Sequence, residues 1–163
     1  MALRIDLPAD REPLGYVWGE AVPKIGPAAA KFSAAVYDSS TLSLREFECA
    51  RARIAQINHC LFCLDWRTER DGERVDEGLY AQVEAWRDAT ELSPRERLAA
   101  AYAERFATDH LSLDDDEAFW AEMHDAYSDA EIIELSMCIG SWIAFGRLNH
   151  VLGIDASCVL PRH

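Results

Sequence analysis

Apolar residues recur along most of this chain at steps of three and four, the period of a helix with one buried face. Leu44, Phe47, Ala50, Ile54 and Ile57 form such a stripe, opened by Ser43-Leu44-Arg45-Glu46, a capping box in which serine and glutamate can each bond the other's backbone N–H. Asn58 then marks a break, and a further helix is predicted from about Cys60 to Arg70, closed by Asp71-Gly72. Val75, Leu79, Val83 and Trp86 predict a helix over 75–87. Ser93-Pro94-Arg95-Glu96 opens another, with proline where no N–H is needed. An acidic loop over 111–116 leads into a helix through Phe119, Trp120 and Met123. Ser128-Asp129-Ala130-Glu131 starts the longest helix, about 129–152, stopped by Gly153. That helix is apolar on most faces in its middle, which predicts a central, buried position. No β-alternation of useful length is present, so the expected fold is all-α, about seven helices joined by short loops.

Residues 1–26 read differently. Pro8, Pro13, Gly15, Gly19, Pro23 and Gly26 punctuate them too often for a long element, which predicts an irregular arm packed on the body or on a neighbouring subunit. Pro27 suits a first helical position, with a short helix over 28–37. The chain thus divides into an arm (1–26), a helical domain (27–155) and a tail (156–163).

The 163 residues suffice for one core without staples. A formal net charge of −13 repels phosphate backbones and argues against nucleic-acid binding. The N-terminus has no apolar run of signal-peptide length. The best membrane candidate, 135–145, falls short of the ~18 residues a span needs. A cytoplasmic protein is expected, in which the five cysteines are mostly reduced and their odd number argues against a secreted disulfide framework.

Two of those cysteines, Cys60 and Cys63, form a Cys-x-x-Cys. Residues three apart on a helix share a face, with Cβ atoms roughly 5–6 Å apart, close enough for a disulfide. Such a pair is a two-electron redox couple, half a metal site, or two small buried hydrophobes. Zinc needs four ligands, and only His59 joins the two sulfurs locally. Cys49 and Cys138 lie on helix faces and read as core; Cys158 stands alone in the tail. His150 near the end of the long helix reads as a favourable charge at its C-terminus.

Glu48 lies twelve residues before Cys60. Glutamate, eleven residues, cysteine, two residues, cysteine resembles the pattern of the AhpD-like alkylhydroperoxidases in the carboxymuconolactone decarboxylase superfamily. The run over 51–58 resembles that family's helix into the motif, and 92–98 and 147–153 resemble its C-terminal half; the likeness covers about 27–155. It implies an all-α homo-oligomer, a trimer or a pair of trimers, that performs thiol peroxidase or disulfide-reductase chemistry. Cys60 and Cys63 would cycle between dithiol and disulfide, with a hydroperoxide or disulfide as substrate and an external dithiol or partner protein as reductant. No flavin, haem or nicotinamide site is legible, so no cofactor is expected. The family's motif ends on histidine four residues after the second cysteine, and here that position is Arg67.

A free thiol ionises at a pKa of about 8.5, so the nucleophile must lose its proton to a base or be stabilised as the anion. Arg67 cannot accept a proton. On a continuous helix it would sit one turn beyond Cys63 and either favour a thiolate or pair with Glu48 and become inert. The expectation is therefore Glu48 as base, Cys63 as the cysteine it serves, Cys60 as disulfide partner and Arg67 favouring the anion. His59 could replace the missing histidine or simply face solvent. Glu48 could instead be a helix carboxylate paired with Arg45, Arg51 or Arg67. Two other classes stand beside this reading: a lyase or isomerase on a small lactone, which needs no paired thiols, and a non-catalytic oligomeric redox-sensing or binding protein.

Overall fold

The computed structural model describes residues 2–156. The described chain is all-α. In order it comprises α1 (Pro13–Gly15), a π-helical turn (Tyr16–Glu20), α2 (Gly26–Asp38), α3 (Leu44–Asn58), α4 (Leu61–Asp65), α5 (Gly78–Glu84), α6 (Pro94–Thr108), a 3-10 turn (His110–Leu113), α7 (Glu117–Ala126) and α8 (Asp129–Leu152). The expected tail over 156–163 lies, beyond residue 156, outside the described residues, as does Cys158.

α3 is the hub, packed mainly on α6 and α8 and also on α4 and α5. Phe47, Ile54, Leu79, Met123, Leu135 and Ile139 are fully enclosed around it. Local signals place the ends of the long helices. At α6 and α8 the serines 93 and 128 accept from the N–H of Glu96 and Glu131, whose carboxylates return to the serine N–H groups. At α3 the box is only half made: Ser43 caps Glu46, but the Glu46 carboxylate leaves to pair with Arg95. Gly153, at φ +73°, closes α8 in the left-handed conformation that glycine adopts without cost.

Asn58 ends α3 and ties it to α8. Its Nδ2 donates to the Trp142 carbonyl at 2.9 Å and its Oδ1 accepts from Arg147 Nε at 3.0 Å. Gly146 makes that approach possible, because a Cβ there would lie 2.5 Å from Asn58 Nδ2.

Five expectations are corrected. The helix opening at Cys60 ends at Asp65 rather than Arg70, since Trp66 turns extended (φ −67°, ψ 138°). The turn at Asp71-Gly72, both at positive φ, closes a small hairpin between Arg70 and Glu73 instead of capping a helix. The helix expected over 75–87 is only Gly78–Glu84, and the acidic loop contains a 3-10 turn. Finally, α8 is not buried all round: Ile133, Met137, Leu148 and Val151 are exposed.

Candidate redox site beside an aromatic cavity

α3 closes at His59, whose left-handed backbone (φ 52°) lets its N–H and that of Cys60 return to the carbonyls of Gln56 and Ala55. The chain then reverses, and Cys60 becomes the N-cap of α4, its Sγ accepting from the Cys63 N–H at 3.3 Å. One turn of helix brings the two cysteines together with Cα atoms 5.2 Å apart, and they are joined as a disulfide. Cys60 is fully buried, while Cys63 is half-buried and faces a cavity. The two sulfurs are therefore not equivalent: a molecule arriving from outside meets Cys63.

That cavity holds about 590 Å³. Six aromatic rings line it: Trp18, Tyr37, Phe62, Trp66, Trp142 and Phe145. Its outer wall comes from the N-terminal arm. Trp18 stacks edge-on against Phe145 at 4.8 Å and donates from Nε1 to Asn149 Oδ1 at 3.1 Å. Among the polar groups on the wall, Ser141 is buried and its hydroxyl has no hydrogen-bond partner among the described residues.

Glu48 is fully buried and both of its oxygens are engaged. Arg51, itself only 2% exposed, donates Nε and Nη2 to them at 2.6 and 2.9 Å, and the Tyr80 hydroxyl donates at 2.6 Å. Arg51 continues outward, donating from Nη1 to the Cys63 carbonyl at 2.7 Å and from Nη2 to the Trp66 carbonyl at 3.1 Å. Glu48 thus reaches the cysteine loop through Arg51. Burial, then the bond to the Glu48 carboxylate, pushes the Tyr80 hydroxyl well above its ordinary pKa. Burial likewise moves Tyr37 up to about 12, with Arg51 opposing. Both phenols stay protonated at neutral pH and can only donate to an anion.

Arg67 lies beyond the end of α4, so it does not sit one turn above Cys63. It pairs with Glu77 at 2.8 and 2.9 Å, donates to the carbonyls of Leu64 and Trp66, and lies 3.9 Å from the centroid of the Tyr80 ring. It meets the Glu48 cluster at the Tyr80 ring and at the Trp66 carbonyl, to which Arg51 also donates. His59 is exposed at the α3 terminus. Sequence reasoning did not find Tyr80, the arm residues, or Asp155. The Asp155 carboxylate accepts from the Leu61 N–H at 3.1 Å and bonds His150 Nδ1 at 3.0 Å, next to Cys60. None of these carries a local signal, since each arrives from a distant part of the chain. Arg51 was legible as a partner of Glu48 but not as the clamp on the cysteine loop. Among the described residues no group of histidine, cysteine and carboxylate side chains is arranged to hold a metal ion.

The profile of the carboxymuconolactone decarboxylase family matches residues 23–105, which include Glu48, Cys60, Cys63 and Arg67. The chain belongs to the carboxymuconolactone decarboxylase family. Among curated relatives, it is 32% identical over 114 residues to the uncharacterized protein YnjA of Escherichia coli K12, covering 68% of this chain and 61% of that protein. It is 22% identical over 120 residues to the uncharacterized protein YdfG of Bacillus subtilis 168, covering 72% of this chain and 80% of that one. Among solved structures, ATU0492 of Agrobacterium tumefaciens, described as a protein of unknown function, superposes with a TM-score of 0.69. The identity there is 22%, over 82% of this chain and 90% of that one, so the likeness is one of fold. No helix among the described residues is long and apolar enough to cross a membrane.

Proposed function

We propose that this family member is a thiol peroxidase in which Cys63 meets the substrate and Cys60 resolves the product. One observation carries the reading: the paired cysteines are linked, with one sulfur sealed and the other on an aromatic cavity. The description of the Agrobacterium protein as a candidate AhpD of antioxidant defence agrees with it.

The electrons balance as follows. The Cys63 thiolate attacks one oxygen of a hydroperoxide, an S–O bond forms, the O–O bond breaks, and the alcohol leaves after taking up a proton. Cys60 then attacks the sulfenic sulfur, the S–S bond forms, and water leaves. An external dithiol restores the pair by two exchanges and is itself oxidised to a disulfide. Arg51 places a permanent positive charge behind Cys63, which favours the thiolate. Both Glu48 oxygens are engaged by Arg51 and Tyr80, so Glu48 serves by holding Arg51 against the Cys63 loop rather than as the base for the thiol proton. Arg67, always protonated, takes no part in proton transfer and serves by holding the Tyr80 ring. His59, on the solvent side, is outside the pathway.

The test is peroxide consumption with a dithiol donor, joined to mass spectrometry of the reduced protein after hydroperoxide. A loss of two hydrogens mapped to Cys60–Cys63 is expected. Cys63→Ser should abolish turnover, and Cys60→Ser should trap a sulfenic acid on Cys63. Cys49 and Cys138 should stay unmodified, because burial pushes both thiols up, Cys138 to about 12. Unreacted cysteines, or a lactone lyase activity that survives Cys60→Ser with Cys63→Ser, would overturn the proposal.

A further inference from the structure

The two sulfurs sit in opposite electrostatic surroundings. Among the described residues, three charged side chains bond the backbone from Cys60 to Trp66. Arg51 donates to the carbonyls of Cys63 and Trp66, and Arg67 to those of Leu64 and Trp66. Asp155 instead accepts the Leu61 N–H at 3.1 Å, on the peptide bond that Cys60 itself forms. Cations thus gather at the Cys63 end and an acid at the Cys60 end.

Asp155 arrives from beyond the end of α8. Gly153 turns the chain back in the left-handed conformation, and the N–H groups of Ile154 and Asp155 return to the Asn149 carbonyl at 2.9 and 3.5 Å. The reversal sets the Asp155 carboxylate between α4 and the His150 ring. His150 Nδ1 lies 3.0 Å from the same oxygen that takes the Leu61 N–H. The Asp155 side chain is 1% exposed and that of His150 30%. A buried carboxylate beside a sealed sulfur is therefore linked through one imidazole to the surface. The other charged groups nearby are turned elsewhere. Arg147 donates to Asn58 Oδ1 and the Ala107 carbonyl, while His59 and Arg4, whose own N–H bonds the Leu152 carbonyl, are exposed.

The two cysteines need different help. The sulfur that attacks first must be an anion at rest, which a cation favours. The sulfur that resolves is a thiol until its partner is oxidised, and burial and a nearby carboxylate both hold its proton on. It must then lose that proton out of reach of bulk water, since Cys60 is fully buried. We propose that the Asp155–His150 pair takes the Cys60 proton in the resolving step. The proton leaves Cys60 Sγ, ends on the imidazole as an imidazolium held by the Asp155 carboxylate, and passes from there to water. The Cys60 thiolate attacks Cys63 Sγ, the S–S bond forms, and the group on Cys63 leaves with its electron pair. The inference rests on the reading of Cys60 as the resolving thiol and adds the path of its proton.

The test uses an aryl disulfide of nitrobenzoate, whose released thiolate is coloured, on the reduced full chain. Cys158, outside the described residues, is replaced as Cys158→Ser so that only the pair reports. Attack by Cys63 releases one equivalent and leaves an aryl group on its sulfur; attack by Cys60 releases a second. The aryl thiolate needs no proton to leave, so the second phase reads the loss of the Cys60 proton. The parent should show both phases, the second levelling off as pH rises through the range from about 5 to 8 in which an imidazole loses its charge. His150→Gln keeps a donor for Asp155 on a half-buried site. It should slow the second phase about a hundredfold, leave the first unchanged, and make the second climb with pH in step with hydroxide. Asp155→Asn, which keeps an acceptor for the Leu61 N–H, should do the same. A second phase indifferent to His150→Gln, or both phases slowed alike, overturns the inference and leaves the couple standing. A parent that releases a single equivalent sinks the couple, and the inference with it.

Discussion

Two helices of this protein invert what their sequences suggest. α3 carries five charged residues, Arg45, Glu46, Glu48, Arg51 and Arg53, yet ten of its fifteen residues are buried, Glu46, Glu48 and Arg51 among them. α8 is the more apolar helix, yet only eight of its twenty-four residues are buried and large side chains face outward. Hydropathy measures what a side chain costs when isolated. Burial is decided by whether it finds partners. On α3, Glu48 has two N–H donors from Arg51 and a hydroxyl from Tyr80, and Glu46 has Arg95. On α8, nothing among the described residues encloses Ile133 and Val151.

The sharpest way to break this contrast is to remove one partner on α3. Arg51→Leu strands the Glu48 carboxylate in the core and releases the carbonyls of Cys63 and Trp66. It should cost about 3–5 kcal/mol in urea unfolding, the usual penalty for an uncompensated buried charge. Glu48→Leu with Arg51→Leu should recover most of that loss, since a buried pair is worth little against apolar residues of similar size. A single variant as stable as the parent would mean that the pair is solvated and that α3 is not held as described.

Next comes a pair of substitutions two residues apart on α8. Leu135 is fully enclosed, and Leu135→Ala should cost about 2–5 kcal/mol at any protein concentration. Met137 is exposed in a single chain, so in the dilute limit Met137→Lys should change stability by no more than about 0.5 kcal/mol. Equal losses would show that both faces of α8 pack within one chain.

The contrast also explains what was legible in the sequence. The limits of α6 and α8 follow from capping boxes and a closing glycine, which act over four residues and need no tertiary help. The Glu48, Cys60 and Cys63 spacing was legible through the family resemblance, and a helix, a left-handed closure at His59 and one further turn are what hold it in the structure. The extent of α4 was not. Trp66 leaves the helix to pack against Tyr37 and Phe62 at 6.0 and 5.7 Å between ring centroids, while Arg51 and Arg67 both donate to its carbonyl. Tyr37 and Arg51 come from α2 and α3, and the position of Arg67 changes with them. The cavity was hidden likewise, since its walls come from the arm, α2, α3, α4 and α8.

The smallest expected effect lies at the start of α8, where charge and hydroxyl act in the open. Ser128 and Glu131 complete a capping box, and Glu131 also pairs with Arg95 at 2.9 Å. The Ser128 N–H first, then Arg95, holds the Glu131 carboxyl down at about 2. Ser128→Ala should therefore cost about 1 kcal/mol at neutral pH. Because the folded pKa is depressed from the ordinary 4.5, Glu131 stabilises the fold fully above that value. Its contribution falls as pH drops through 4.5 and is gone below about 2. Glu131→Gln should thus be less stable than the parent at pH 7, and the gap should close under acid, measured as the difference in urea midpoints. A gap that persists below pH 2 would mean that the residue acts through shape rather than charge. The N-terminus of α8 would then owe its place to packing, as α3 does not.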